Sequence, residues 1–179
     1  MPLPIKAKVA EAFLELSQRK SVDKITVKDL VEACGISRQT FYYHFQDILD
    51  VIEWSAQQFF QEVLKRSLEA SSPEAALEVF VSAAVRGRPL LQKLLESQRR
   101  MQVENILVQA ARSYLKELLR GQDLQVSYAD GEAALSFCAY GLVGLLLENC
   151  EKKDLNQSLL ARQMYSLLAR QLKTPDLEF

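Results

Sequence analysis

The segment that most restricts what this chain can become runs from Thr26 to Phe45, TVKDLVEACGISRQTFYYHF. Val27, Leu30, Val31 and Cys34 recur at i, i+3, i+4 and i+7, the spacing of one helical face. Thr26 stands where an N-cap would, and Asp29 three residues on completes a capping-box pattern while favouring the positive end of the helix dipole. Gly35 offers the left-handed conformation that ends a helix at low steric cost. Ser37 can cap a second helix at once. Ile36 and Phe41 occupy the two positions of a hydrophobic staple, which sets the angle at which that helix leaves. Phe41 and Phe45, one turn apart, are expected to face a core, so the pattern predicts a helix, a tight turn and a second helix.

The other face of the second helix carries the chemistry. At about 100° per residue, Gln39 and Tyr43 fall opposite the Phe41/Phe45 line, Thr40, Tyr42 and His44 flank it, and Arg38 lies in the first turn. Arginine and glutamine make paired hydrogen bonds to guanine and adenine edges, while hydroxyls and imidazole reach phosphates or bases. Two adjacent tyrosines are an odd choice for a face that meets only water.

These residues carry a resemblance. GISRQTFYYHF is similar to the recognition-helix signature of TetR-type (TetR/AcrR) transcriptional regulators, with Ser37, Thr40, Phe41, Tyr42, His44 and Phe45 making the match. The resemblance covers about the first third of the chain. It implies DNA contacts from Ser37, Arg38, Gln39, Thr40, Tyr42, Tyr43 and His44, with Thr26 near a phosphate. It further implies a bacterial, cytoplasmic homodimer on operator DNA, governed by a small-molecule effector or a protein partner of unknown identity. The run FYYHFQDILDVIEW also resembles a branch whose better-known members activate dihydroxyacetone kinase genes with kinase-like proteins as partners. One departure is visible: many relatives place a phosphate-binding lysine at the start of the next helix, whereas here the chain reads Gln46, Asp47, Ile48.

Composition agrees with a helical chain. Among 179 residues there are only six glycines and five prolines, which points to an all-α protein long enough to bury a sizeable core. The net charge of −1 gives no global basic field, but Met1 to Gln46 carries seven Lys/Arg against five Asp/Glu, a local surplus that fits DNA binding. Lys6 and Lys8 project near the start of the first helix, where they either reach phosphate or simply face water. Cys34, Cys138 and Cys150 are odd in number and widely spaced, a pattern of buried thiols rather than of a disulfide framework or zinc site. Charges interrupt the N-terminal apolar run, so no signal peptide is read. No stretch reaches about 18 uninterrupted apolar residues, so no membrane partner is expected.

About nine helices are expected. Three, with the first spanning about Ile5 to Arg19, make a DNA-binding domain over 1–46. A C-terminal ligand-binding and dimerisation domain fills 47–179. Asp47 caps a fourth helix over 47–70, with Phe59, Val63 and Leu64 on its apolar stripe, that links the two domains as a stiff rod of about 1.5 Å per residue. Gly121 to Gly131 is expected to be a loop. Glu132 to Cys150 is apolar nearly all round, as for a helix buried on more than one side, with Gly141 and Gly144 leaving room for close approach. Asp154 or Asn156 caps a last helix running to Lys173.

Trp54, Phe59, Phe80, Met101, Tyr114, Phe137 and Tyr140 are candidates to line an apolar ligand pocket, or alternatively belong to the core. Leu142, Leu145, Leu146, Leu160, Met164 and Leu167 are candidates for the dimer interface. His44 is the only histidine, and it lies on the DNA-reading helix, so no catalytic constellation converges. Absent HExxH, CxxC or Gly-rich phosphate motifs, neither metal nor cofactor is expected. The leading expectation is a repressor released from a palindromic operator by a small ligand. The alternatives are an activator working with a protein partner, or a helical dimeric adaptor that no longer reads DNA.

Overall fold

The computed structural model describes residues 4–120, 128–149, 152 and 154–172. Those residues form nine α-helices: α1 (Ile5–Arg19), α2 (Val27–Cys34), α3 (Arg38–His44), α4 (Ile48–Leu68), α5 (Pro73–Arg86), α6 (Arg88–Leu95), α7 (Arg100–Leu118), α8 (Tyr128–Asn149) and α9 (Gln157–Leu172). A single 3-10 turn, Val22–Lys24, joins α1 to α2. The chain is all-α, with no strand among the described residues. It divides into two compact units. One is built from the described residues of Met1–Gln58 and Arg88–Ile106, the other from those of Phe59–Gly87 and Leu107–Phe179.

The first unit takes in more of the chain than residues 1–46. Its core is made by Val9 and Phe13 of α1, Val22 and Ile25 of the connection, Leu30, Val31 and Cys34 of α2, Phe41 and Phe45 at α3, and Ile48, Val51 and Ile52 of α4, all buried. The α6 helix joins them through charge. Lys93 donates to the carbonyls of Ser17 at 2.5 Å and Gln18 at 3.1 Å, so an ammonium meets the negative end of α1. Both carboxylate oxygens of Asp23 accept from the backbone N–H of Gln98 at 3.2 Å, just ahead of α7. Between these points Ser97 donates to Leu94 O at 2.6 Å and accepts from the Arg99 N–H at 3.2 Å, closing the α6–α7 turn.

In the second unit α5 packs chiefly on α9, and α9 also on α8. Phe60, Val63, Leu77, Phe80, Val81, Tyr114, Leu115, Leu142, Leu160 and Met164 fill its centre. Phe60, rather than Phe59, points inward, because Phe60, Val63 and Ser67 share one helical line and all three are buried, whereas Phe59 is exposed. Ser72 caps α5 by accepting from the Ala75 N–H, with Pro73 at the first helical position. Asn156, and not Asp154, caps α9, its side chain accepting from the Leu159 N–H at 3.0 Å.

The α8 helix departs from expectation at its start. It begins at Tyr128, so Asp130 and Gly131 belong to its first turn and not to a loop. An aspartate there is favoured by the positive end of the helix dipole, and that preference outweighs a single glycine. The expected loop over 121–127, Cys150 and the region beyond Leu172 lie outside the described residues. From Asp130 to Asn149 this helix is long and apolar enough, by length and composition, to cross a membrane, which a count of uninterrupted apolar residues does not credit. In this fold Leu135, Cys138, Ala139, Leu142 and Val143 of the same helix are buried within its own unit.

Candidate nucleic-acid interface

Two caps hold α2 and α3 in place. Thr26 accepts from the Asp29 N–H at 3.2 Å, Asp29 accepts in return from the Thr26 N–H at 2.7 Å and its hydroxyl at 2.6 Å, and the Lys20 ammonium sits 2.7 Å from the same carboxylate. The Lys20 ammonium, then the Thr26 hydroxyl and N–H, hold the Asp29 carboxyl well below the usual carboxylate range. At the far end Gly35 is left-handed (φ 60°, ψ 38°). Its N–H bonds to Glu32 O and that of Ile36 to Val31 O at 3.1 Å, the paired bonds of a Schellman motif. A side chain at position 35 would meet no neighbour, so backbone conformation alone requires glycine there.

Ser37 opens α3, accepting from the Thr40 N–H at 3.0 Å, with the two hydroxyl oxygens 2.9 Å apart. Beneath the helix Phe41 packs at 5.8 Å on Phe45 and edge-on at 5.4 Å to Tyr42, and Phe45 meets the Trp54 ring at 6.3 Å. These contacts lock one face inward, so the other must face out. Arg38 and Gln39 are exposed, Tyr43 is 85% exposed, and Tyr42 is exposed beside it. Thr40 and His44 are half-buried, His44 standing edge-on to Tyr43 at 5.0 Å. The outward line thus presents Arg38, Gln39 and Tyr43 together.

Thr26 and Ser37 stand differently. The Thr26 hydroxyl is committed to Asp29 as donor and to the Asp29 N–H as acceptor, next to a carboxylate. Its place is that of a cap. One hydrogen lies between the Ser37 and Thr40 hydroxyls, and either can donate it, so the pair keeps one hydroxyl hydrogen for a ligand. Buried Cys34 is a free thiol pushed up in pKa by burial, and Cys138 behaves alike.

Past α3, Asp47 accepts from the Asp50 N–H at 3.0 Å and Asp50 from the Gln46 N–H at 2.9 Å. The start of α4 is therefore closed by two carboxylates. Lys6 of α1 places its ammonium 5.3 Å from the centre of the Phe45 ring, a cation–π contact that periodicity in the sequence does not disclose.

The seven candidate pocket residues are divided between the two units. Phe80 and Tyr114 stack at 5.1 Å inside the second unit, where Phe60 joins them at 5.9 and 6.3 Å. Tyr114 donates to Ser67 at 3.0 Å, and Ser67 donates to Ala76 O at 3.1 Å. Burial pushes the Tyr114 phenol up to about 12. Phe60 and Ser67 are the members that sequence reasoning missed, although they share the i, i+7 line with Val63. Trp54 and Met101 belong to the first unit, Met101 exposed. Phe59 lies at the surface, and Phe137 and Tyr140 point outward, 65% and 60% exposed.

The candidate interface residues divide in the same way. Leu142, Leu160 and Met164 are buried in the core of their own unit, and Leu145 and Leu146 are half-buried against it. Those first three side chains present no surface to a second chain, because all three are buried in one apolar cluster. Leu167 alone of the six is open, at 53% exposure. In place of the others, Phe137, Tyr140, Gly141 and Gly144 form an exposed i, i+3, i+4, i+7 stripe, and nothing lies within 4 Å of where a side chain would sit at either glycine.

Residues 10–53 match the family model described as bacterial regulatory proteins, tetR family. Over 56 residues the chain is 34% identical to the HTH-type dhaKLM operon transcriptional activator DhaS of Lactococcus lactis subsp. lactis (strain IL1403), an alignment that spans 31% of this chain and 30% of that protein. In fold it is similar to the dihydroxyacetone kinase operon activator DhaS (TM-score 0.65, 20% identity, 94% of this chain and 96% of that one). It is similar likewise to the TetR family repressor AlkX from Dietzia sp. strain DQ12-45-1b (TM-score 0.66, 21% identity, 94% and 98% covered).

Proposed function

We propose that the chain, whose residues 10–53 match the model of the tetR family of bacterial regulatory proteins, regulates transcription in the cytoplasm by reading operator DNA with α3. The observation that carries this reading is the line of Arg38, Gln39 and Tyr43 standing outward from a helix whose opposite face is locked by Phe41 and Phe45. Arg38 and Gln39 read base edges in the major groove, and Tyr42, His44 and the Ser37–Thr40 hydroxyl pair position the helix on phosphates. Thr26 serves as the cap that aims α2.

The working form is a homodimer. An i, i+3, i+4, i+7 stripe of two exposed aromatics and two uncovered glycines on α8, with Leu159 and Leu167 exposed on α9, supports a helix-on-helix contact with a second copy. Two-fold pairing would set two α3 helices in successive major grooves, about 34–36 Å apart in the simplest arrangement, on an inverted repeat.

Repression relieved by a small ligand is the regulatory outcome assigned, in keeping with the fold shared with the repressor AlkX. The likeness to DhaS, an operon activator, favours a second reading in which the protein activates with a protein partner. A mobility-shift assay across a salt series, using DNA flanking its own gene, tests the DNA-reading step. Arg38→Ala or Gln39→Ala is expected to cost about 1–3 kcal/mol and relax preference at one base position. Unchanged footprint and affinity in both variants would show that α3 is not the reading helix, whereas wild-type protein that shifts no duplex would leave the adaptor as the surviving alternative. A reporter carrying the bound sequence then separates repression from activation by the sign of its response to deleting the regulator.

A further inference from the structure

We infer that Lys6 is a phosphate-binding residue at the C-terminal edge of the recognition helix, held in place by the ring of Phe45. The inference rests on the DNA-reading role assigned to α3.

Three observations meet at this point. Phe45 ends α3, its N–H bonded to Phe41 O at 2.9 Å, and its ring is buried in the first unit. The Lys6 ammonium lies 5.3 Å from the centre of that ring, beside the residue that ends the helix carrying Arg38 to His44. The next helix start is lined with negative charge. Asp47 and Asp50 already occupy the N–H groups of Asp50 and Gln46, and their carboxylates would repel a phosphate placed there. A DNA strand passing the end of α3 therefore finds its cation on α1.

Two nearby lysines are already paired with carboxylates. Lys20 is bound to Asp29 at 2.7 Å, and Lys28 pairs with Glu32 at 3.8 Å. Lys8 follows Lys6 by two residues, which turns it roughly 200° around α1. No carboxylate partner is found for Lys6 among the described residues. Its half-buried stem rests against the domain and its charge stays available. Resting on Phe45 also orders the side chain before DNA arrives, so little rotamer freedom is left to lose on binding.

The test is the salt dependence of DNA binding by the full chain, with Lys6→Met, which keeps the stem over Phe45 and removes the charge, and Lys6→Arg, which keeps the charge. One phosphate contact contributes about 0.9 to the slope of log affinity against log salt. Lys6→Met is expected to lower the slope by about that amount for each protomer bound. It is expected to weaken operator and random duplex by the same factor and to keep the wild-type melting temperature within a few degrees. Lys6→Arg is expected to restore the slope. Should methionine disturb the fold, Lys6→Gln gives the same reading through a polar side chain. A slope unchanged in the charge-removing variant, or a loss confined to the operator, overturns the inference. Wild-type protein with no salt-dependent binding to any duplex overturns instead the DNA-reading role on which it rests.

Discussion

Lys93 is joined to Ser17 by a hydrogen bond of 2.5 Å that crosses 76 positions of sequence, from α6 to the last turn of α1. The same ammonium reaches Gln18 O at 3.1 Å. A charged donor on two helix-terminal carbonyls combines a charge-assisted hydrogen bond with the pull of the helix dipole, and the site is half-buried. Lys93→Met is expected to destabilise the protein by about 1–2 kcal/mol and to speed amide exchange over Lys20–Lys24 and α6 before any change at α9. Denaturant titration with exchange mass spectrometry checks both, and equal exchange rates over α6 in the two proteins would refute the clamp.

Acid sensitivity follows from Asp29. Its folded-state pKa is depressed, chiefly by Lys20 and then by Thr26. The stability it confers is present in full above the ordinary carboxylate range and is lost as pH falls through the lower folded-state value. Asp29→Asn is expected to melt at a lower temperature than wild type at neutral pH and to approach it as the pH drops below about 4. Parallel melting curves across that range, with a constant gap, would show that the charge on Asp29 is not the stabilising feature.

Tyr114 sets the alkaline limit. Burial raises its pKa from 10.0 to about 12, so the folded state keeps a proton that the unfolded state releases. Its contribution is complete below pH 10 and declines as pH rises through the interval above. Tyr114→Phe, which leaves Ser67 bonded to Ala76 O, is expected to cost about 1 kcal/mol at neutral pH and to flatten the fall in stability above pH 10. Thermal melts at pH 8, 10 and 11 measure it.

The dimer prediction turns on exposure. Tyr140→Glu places a charge on the outward stripe of α8, where the side chain is mostly in solvent, so the fold should change by no more than about 0.5 kcal/mol. Light scattering is expected to move from dimer to monomer mass, while circular dichroism stays that of a helical protein. A dimer persisting in a Tyr140→Glu, Gly144→Glu double variant would show that the two copies meet elsewhere.

How far the sequence can be read depends on which force acts locally. Thr26, Asp29, Gly35 and Ser37 act within a few residues of themselves, so the first three helices and the exposed line of α3 are legible in the order of residues alone. Phe59 and Phe60 are not separable in that way. Adjacent aromatics lie about 100° apart on a helix, and only the packing of Phe80 and Tyr114 selects Phe60. On α8, apolar residues run all round, so no period distinguishes the buried Leu142 from the outward Phe137. The membership of α6 in the first unit depends on Lys93 meeting α1 and Asp23 meeting the turn before α7, relations across more than 70 residues that no local pattern encodes.

That distant membership has a consequence during synthesis. The unit that carries α3 draws on residues up to Ile106, so its last pieces leave the ribosome well after its first. At roughly 5–20 residues per second, the interval between Gln58 and Ile106 is on the order of several seconds. Throughout it the nascent α1 lacks the lysine that neutralises its end, and Asp23 lacks the Gln98 N–H that both its carboxylate oxygens accept from. The helices that recognise DNA are translated early, yet they become a finished domain only when more than half of the chain has been made.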